Sequence, residues 1–466
     1  MRTSSSELLI ELDRSRPRGL RVQIEHQLRD AVHAGRLPRG TVLPSSRALA
    51  EDLGITRGVV VAAYEQLVAE GYLAAVPGSG TVVNRGALPQ AQSLPVERPS
   101  ESRIEVDFSA GLPDLALFPR SRWARASRVA LQTVPDERLG YCNARGLPEL
   151  QSALIDYLAR VRGVRAHPDQ VVMCSGFSHA ITVLAEALAR RGHHRIAVED
   201  PHRGAGPQLE HSSLRVHGVE LDAEGIVVDA LRRTGARTVL VTPAHQAPTG
   251  VVLSSARRSA LVNWAHAVDG YVIEDDYDAE FRYDHHPVGS LQGIAPDRVV
   301  YCGTASKTLA PGIRLGWMVL PPPLIDAVMD VRRGTDVLSS ALLQATFAAF
   351  VADGDLDRHL RRVRRIYRRR RDALVAAVAK EFAEARPMGV SAGLQTLLAL
   401  PAGWDEAAVA RSAGEAGVRL RTLSEFRMGN RTDLPPALVL GYGQLAPAEI
   451  ERGVRLLATA ARSATS

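Results

Sequence analysis

Residues 303–317 read GTASKTLAPGIRLGW, and Lys307 within them is one of only two lysines, beside Lys380, in a chain whose other 55 basic side chains are arginines. The two residue types differ in the chemistry open to them. A lysine amine can lose its proton and form an imine with an aldehyde, whereas a guanidinium stays charged and can only pair and hydrogen-bond. Lys307, in a Ser/Thr-rich turn after an apolar run, is a candidate for such an imine; Lys380, in AAVAKEFAE, has the setting of an ordinary surface charge.

Neighbouring motifs hold the other groups that an imine-bound pyridoxal phosphate needs: a carboxylate at its pyridine nitrogen, a donor to its ring oxygen and several phosphate anchors. Asp275 closes YVIED and could keep the pyridine protonated and so electron-withdrawing; Tyr277, two residues on, could reach the ring oxygen. Thr304 and Ser306 flank Lys307 in the same turn, and Arg314 follows it by seven residues. The stretch SGFSHAITVLAEAL starts a helix with Ser178 near its positive end, where a phosphate is favoured. Taken singly these are weak signals, since a buried Asp is usually a structural hydrogen-bond partner and Ser178 could be only a cap. Their joint occurrence is what points to pyridoxal 5'-phosphate.

Such groups need elements to bring them together. Five strand-like runs end in polar residues, VVMCSGFSHA, IAVEDPHRG, TVLVTPAHQAPTG, YVIEDDYDAEF and VVYCGTASK, and they alternate with amphipathic helices. That alternation predicts an α/β fold with a mostly parallel sheet, whose ligands bind beyond the carboxyl ends of the strands. At 466 residues and 45% hydrophobic content the chain can fill several cores. A Pro/Ser-rich stretch with little apolar periodicity, residues 86–105, reads as a linker between residues 1–85 and residues 106–466. The start, MRTSSSELLIELDRSRP, and the absence of any apolar run near ~18 residues lead to the expectation of a cytoplasmic protein. Cys142, Cys174 and Cys302 are far apart without CxxC spacing, so buried reduced thiols are expected and no metal site.

In the first part, Val22, Ile24, Leu28, Ala31 and Val32 recur at helical spacing, with Gly35 to stop the helix. LPSSRALAEDLG marks a second helix, with Ser45 or Ser46 as cap and Gly54 past its end. A third starts at Thr56 and carries Val60, Ala63, Tyr64 and Leu67 inward; YLAAVPGSGTVV then predicts a hairpin with its tip at residues 77–80. This is the outline of a winged helix-turn-helix.

LPSSRALAEDLGITRGVVVAAYEQLVAEGYL, continued by GSGT, resembles the GntR-type winged helix throughout. The resemblance implies a double-stranded DNA operator as partner, with Arg47, Thr56, Arg57 and Gly80 at the contact: the third helix in the major groove, the wing along the minor groove. Gly58 and Val59 stand where the family often has Asn and Thr, so a different base preference is implied. Charge alone does not argue for DNA. Residues 1–85 hold 11 arginines against 9 acidic residues, and the whole chain is +6.

GLPDLALFP, GYCNARGLPELQSALIDYLARVRGV, TPAHQAPTG, IEDDYDAEFRY and GTASKTLAPGIRLGW resemble the fold-type-I aminotransferase domain over about residues 106–460. Behind a GntR winged helix, this architecture is similar to the MocR/GabR family of bacterial transcription regulators. The resemblance implies Lys307 as the imine lysine, Asp275 and Tyr277 as the pyridine-nitrogen and ring-oxygen partners, and Ser178, Thr304, Ser306 and Arg314 as phosphate anchors. It also implies a homodimer, with Tyr141 reaching the neighbouring subunit's phosphate. Two departures bear on mechanism. The aromatic residue often stacked on the cofactor ring is replaced in Pro201, His202, Arg203, although His202 or Arg203 could lie against the ring; and ALVLGYGQL has Val439 where amino-acid transaminases carry a carboxylate-binding arginine. Loss of that clamp argues against efficient transamination.

The expectation is therefore a regulator that senses a small molecule at Lys307, either pyridoxal phosphate itself, as in the PdxR subgroup controlling vitamin B6 synthesis, or an amino compound. A working aminotransferase carrying a DNA-binding module is the alternative. A further motif, RHLRRVRRIYRRRRDAL at residues 358–374, carries nine arginines around an apolar stripe of Leu360, Val363, Ile366 and Tyr367. It reads either as a packed helix with a solvated basic face or as a surface touched by bent DNA.

Overall fold

In the computed structural model, which describes residue 8 and residues 10–15, 19–84, 104–140, 144–202, 206–283, 288–336, 339–428 and 434–465, Ser45 turns the chain into the helix Ser46–Asp52. Its hydroxyl accepts the Ala48 amide at 3.2 Å, satisfying one N–H that a helix start leaves orphaned. Gly54 follows at φ +59°, and the helix Arg57–Ala69 begins after Thr56, whose backbone occupies the cap position without a side-chain bond. Val60, Ala63, Tyr64 and Leu67 are all buried, and the Tyr64 hydroxyl donates to the Pro44 carbonyl at 3.1 Å.

The helix Leu20–His33 buries Ile24, Leu28, Ala31 and Val32. Val22, expected on the same face, is 40% exposed; at about 100° per residue it points away from Ile24. Leu73–Val76 and Gly80–Val83 pair antiparallel from Leu73↔Val83 to Val76↔Gly80, so Gly80, expected in the hairpin tip, opens the returning strand instead. Three helices and a hairpin around Ile24, Leu49, Val60, Leu67 and Val83 form the winged helix. They lie within the first of two compact units, Met1–Pro99 and Ser100–Ser466. The expected linker falls almost wholly outside the described residues.

The second unit is built on an eight-stranded sheet. Its strands lie in the order Val171–Cys174, Gly316–Val319, Val299–Thr304, Tyr271–Asp276, Thr238–Val241, Arg195–Asp200, Arg215–Asp222 and Gly225–Ile226. The third to seventh of these run parallel. Gly316–Val319 is antiparallel to both neighbours, which leaves Val171–Cys174 pointing the common way. The five polar-ended runs in the sequence are five of these strands, and all finish at one edge. Their unbroken apolar character follows from cover on both faces. Ile181, Leu184, Leu324 and Val328 pack on one side and Leu231, Leu261 and Trp264 on the other.

A four-stranded antiparallel sheet, Arg386–Met388, Gln395–Ala399, Ala437–Gly441 and Arg421–Thr422, forms a smaller layer. The 27-residue helix Asp355–Glu381 joins the two cores, with Leu360, Val363 and Tyr367 in one and Leu374 and Val378 in the other. Ile366, at the margin of that stripe, is only half-buried. Cys174 and Cys302 are buried free thiols, Cys174 pushed up to about 12 by burial; Cys142 lies outside the described residues. Among the described residues no helix is long and apolar enough to cross a membrane.

Candidate functional site

The turn after Val299–Thr304 carries Lys307, half-buried, whose Nζ donates to the Gly111 carbonyl at 2.6 Å. In the next strand of the sheet, Asp275 pairs in register with Cys302. Burial, then the neighbouring Asp276, holds the Asp275 carboxyl well above its usual range; Lys307 acts in the opposite sense, and Asp278 and Glu199 add to the rise. Its Oδ1 is buried with no hydrogen-bond partner among the described residues. A buried acceptor left in this state is costly until a donor reaches it. A protonated pyridine nitrogen is such a donor, and its positive charge would return the carboxyl to its ionised form.

A second group of residues meets where the first helix of this sheet begins. Gly176 caps Phe177–Arg190 at φ +106°, a conformation that suits glycine. A Cβ placed on it would stand 3.8 Å from Arg314 Nη1, 3.8 Å from Thr304 Oγ1 and 3.9 Å from Ser306 Oγ. Two hydroxyls, a guanidinium and a helix N-terminus thus surround a small space, a combination suited to a phosphate dianion. Thr304 Oγ1 donates to Ser306 Oγ at 3.0 Å and accepts the Ser306 amide at 3.2 Å, which fixes the turn. Arg314 sits in the left-handed region at φ +53°, ψ 48°. Ser178 is the second residue of the helix and is exposed.

Tyr277 lies in a polar cluster that single residues in the sequence did not announce. Its hydroxyl is 3.1 Å from His245 Nδ1, which also meets Asp278 Oδ2 at 2.9 Å, and the two rings stack with centroids 6.3 Å apart. Gly393 makes room for the cluster, since a Cβ there would fall 2.3 Å from His245 Cε1. Glu199 accepts from the amide and hydroxyl of Thr242 at 3.0 and 2.7 Å, while burial pushes it up to about 7. His245 and Asp278 lay inside the polar strand endings TPAHQAPTG and YVIEDDYDAEF; their place next to Tyr277 depends on the pairing of two strands.

His202 is buried, its amide donates to the Phe426 carbonyl at 2.8 Å, and neither ring nitrogen has a hydrogen-bond partner among the described residues. Burial lowers it to about 4, so the ring is neutral. Arg203 and Tyr141 lie outside the described residues. Val439 is fully buried in Ala437–Gly441, in one apolar cluster with Ala110 and Phe426, and is paired in register with Arg421. Arg421 itself is turned to Glu425 at 2.8 Å and lies over the Phe426 ring.

In the first unit Arg47, Thr56, Arg57 and Gly80 are all exposed. Arg57 Nε donates to Ser46 Oγ at 3.2 Å, which ties the start of the third helix to the start of the second. Exposed arginines at two helix N-termini suit phosphate and base edges alike.

Comparison with known proteins agrees with both units. Residues 20–83 match the family "Bacterial regulatory proteins, gntR family", and residues 103–452 match "Aminotransferase class I and II". The probable rhizopine catabolism regulatory protein MocR of Rhizobium meliloti is 31% identical over 97% of this chain and 96% of its own. The pyridoxine biosynthesis transcriptional regulator PdxR of Corynebacterium glutamicum is 32% identical over 94% and 95%, and the transcriptional regulator TauR of Rhodobacter capsulatus 30% over 94% and 96%. Among solved structures, the multiple substrate aminotransferase of Thermococcus profundus superposes with a TM-score of 0.71 at 25% identity, over 78% of this chain and 93% of that one. The kynurenine aminotransferase of Pyrococcus horikoshii gives 0.70 at 26%, over 78% and 92%. With a GntR winged helix followed by an aminotransferase domain of class I and II along one chain, this protein belongs to the MocR-type family of helix-turn-helix transcription regulators.

Proposed function

We propose that this regulator holds pyridoxal 5'-phosphate at Lys307 and adjusts its grip on an operator to the state of that site. The observation that carries the reading is Asp275: a buried carboxyl whose Oδ1 has no hydrogen-bond partner among the described residues, within the electrostatic reach of Lys307 in its strand-end turn. When bound, the group supplies an aldehyde for a primary amine and a pyridine ring that withdraws electrons once protonated. Asp275 would hold the proton on that ring nitrogen. Gly176, Thr304, Ser306 and Arg314 would hold the phosphate, with Ser178 and the helix dipole behind them. Tyr277, oriented by His245 and Asp278, would face the ring oxygen, and the neutral His202 would lie against the ring, with Arg203 beside it and Tyr141 reaching across a homodimer.

Orientation of an amino acid for proton abstraction needs a second anchor, and position 439 supplies a valine in place of a guanidinium. This favours sensing over turnover. The pyridoxine biosynthesis regulator among the relatives makes pyridoxal phosphate itself the preferred signal, with an amino compound as the rival. A ligand can change DNA affinity only by binding two conformations unequally, and here both signals would act at Lys307.

The test is an absorbance titration of the cofactor-free chain with pyridoxal phosphate, wild type beside Lys307→Ala, with operator DNA affinity measured in parallel. A visible band confined to wild type and a matching change in DNA affinity are expected. A band without any DNA effect would make the group a standing cofactor, and absence of a band would remove Lys307 from this role.

A further inference from the structure

The arginines of the long helix Asp355–Glu381 are not spread evenly around it. Arg358, Arg361, Arg362 and Arg365 follow an i, i+3, i+4, i+7 spacing and so share one face. Opposite them the start of the helix Arg120–Thr133 brings up Arg120 and Arg122, and the two elements enclose a concave cavity of about 580 Å³.

Negative charge near this cavity is already committed. Asp355, 2% exposed, takes Arg358 at 2.9 Å, Arg122 at 3.4 Å and Arg125 as well. Arg120, Arg361, Arg362 and Arg365 have no ion-pair partner among the described residues. Like charges at i, i+4 repel, and here repulsion is gathered around a hollow where a counter-anion would reverse its sign. Guanidinium forks grip phosphate oxygens two at a time, and the volume falls among small-ligand pockets. A duplex is convex and its phosphates are strung along a rod, whereas this site is concave with donors converging from two elements.

The cavity is also joined to the lysine turn. His359, buried among these arginines and lining the same hollow, has its Nε2 2.8 Å from the carbonyl oxygen of Thr308, the residue after Lys307. We propose that the arginine cavity between Arg120–Thr133 and Asp355–Glu381 binds a compact polyphosphate anion, of the pyrophosphate or nucleoside di- and triphosphate class, and that its occupancy stiffens the Lys307 turn through His359 and Thr308.

The test uses the full chain and inorganic pyrophosphate as probe. Calorimetric titration of wild type is compared with Arg361→Ala/Arg365→Ala and with Arg361→Lys/Arg365→Lys, and amide hydrogen exchange across residues 303–309 is followed with and without the probe. The expected result is saturable binding in wild type, at least ten-fold weaker in the alanine pair and intermediate in the lysine pair, which keeps charge but loses the fork. The alanine pair should also melt no lower than wild type without ligand, because repulsion has been removed. Pyrophosphate should slow exchange at 303–309 in wild type and leave it unchanged in His359→Leu. Non-saturable binding, or equal binding by all three proteins, overturns the site. Loss of duplex DNA affinity in the alanine pair with no pyrophosphate binding overturns it in favour of a DNA surface, and binding without a change in exchange overturns the link to the turn.

Discussion

Lys307 Nζ donates to the carbonyl oxygen of Gly111 at 2.6 Å, a contact between residues 196 apart in the chain. The bond pins the strand-end turn to the GLPD segment, with the amine as donor and a backbone carbonyl as acceptor. Arginine could make the same bond and carry the same charge, yet it cannot condense with an aldehyde. Lys307→Arg is therefore expected to fold with a stability within ~1 kcal/mol of wild type and to give no visible band with pyridoxal phosphate. A variant that kept the band would place the reacting amine elsewhere.

Asp275 should reveal itself through pH. The fold raises its pKa, chiefly by burial, so the cofactor-free protein holds the proton more tightly than the unfolded chain does. The resulting stability is full below the unfolded value of about 4 and is lost as pH rises through the folded one. Asp275→Asn cannot ionise and is expected to flatten the decline of thermal stability above that pH, while pyridoxal phosphate binding weakens by about 10- to 100-fold, the size of one charge-assisted hydrogen bond. A steeper decline in the variant would overturn the assignment.

Much of this site was legible in the sequence because strand ends are local. Asp275 and Thr304 lie at the ends of apolar strands, and Ser306 and Lys307 in the turn after one, and parallel strands bring their ends to one edge. Gly111, His245 and Asp278 were legible only as parts of motifs, since their contacts join segments that lie far apart or in different strands. Val22 and Gly80 show the smaller limit: apolar type does not fix the face of a residue near a helix start, and a glycine at a hairpin suits the tip and the first paired position equally.

Arg314, proposed as a phosphate anchor, also carries backbone strain. A non-glycine residue in the left-handed region costs roughly 1–2 kcal/mol, here at φ +53°. Arg314→Gly is expected to leave the cofactor-free protein as stable as wild type or up to ~1 kcal/mol more stable. It should also weaken pyridoxal phosphate by at least about ten-fold, since a charged hydrogen bond to phosphate is lost. Unphosphorylated pyridoxal serves as the control. If its binding fell equally, Arg314 would be shaping the turn and not holding phosphate.

His202 titrates in the other direction. Burial depresses it to about 4 from an ordinary value near 6.5, so the fold favours the neutral ring. The stability this gives is present above about 6.5 and is lost as pH falls towards 4, to a limit of about 3 kcal/mol. His202→Phe keeps a planar ring with nothing to protonate. Its thermal stability should fall less than that of wild type between pH 6.5 and 4, and equal slopes would show that the acid sensitivity arises elsewhere.

The operator contact proposed for Arg57 can be probed through Arg57 and Ser46. Because Ser46 Oγ takes Nε of Arg57, the two terminal nitrogens of the guanidinium remain as the fork for a phosphate or a guanine. The two targets predict different signatures. If the fork meets a phosphate, Arg57→Ala should weaken all DNA sequences alike and lower the salt slope by about 0.9. If it reads a base, the loss should be about 1–3 kcal/mol on the operator alone, with specificity relaxed at one position. Ser46→Ala leaves the arginine in place but frees its Nε, so it should cost less than Arg57→Ala, and the double variant should cost no more than Arg57→Ala by itself. Additive losses would mean that Ser46 meets DNA independently and that the bond between them does not position the arginine.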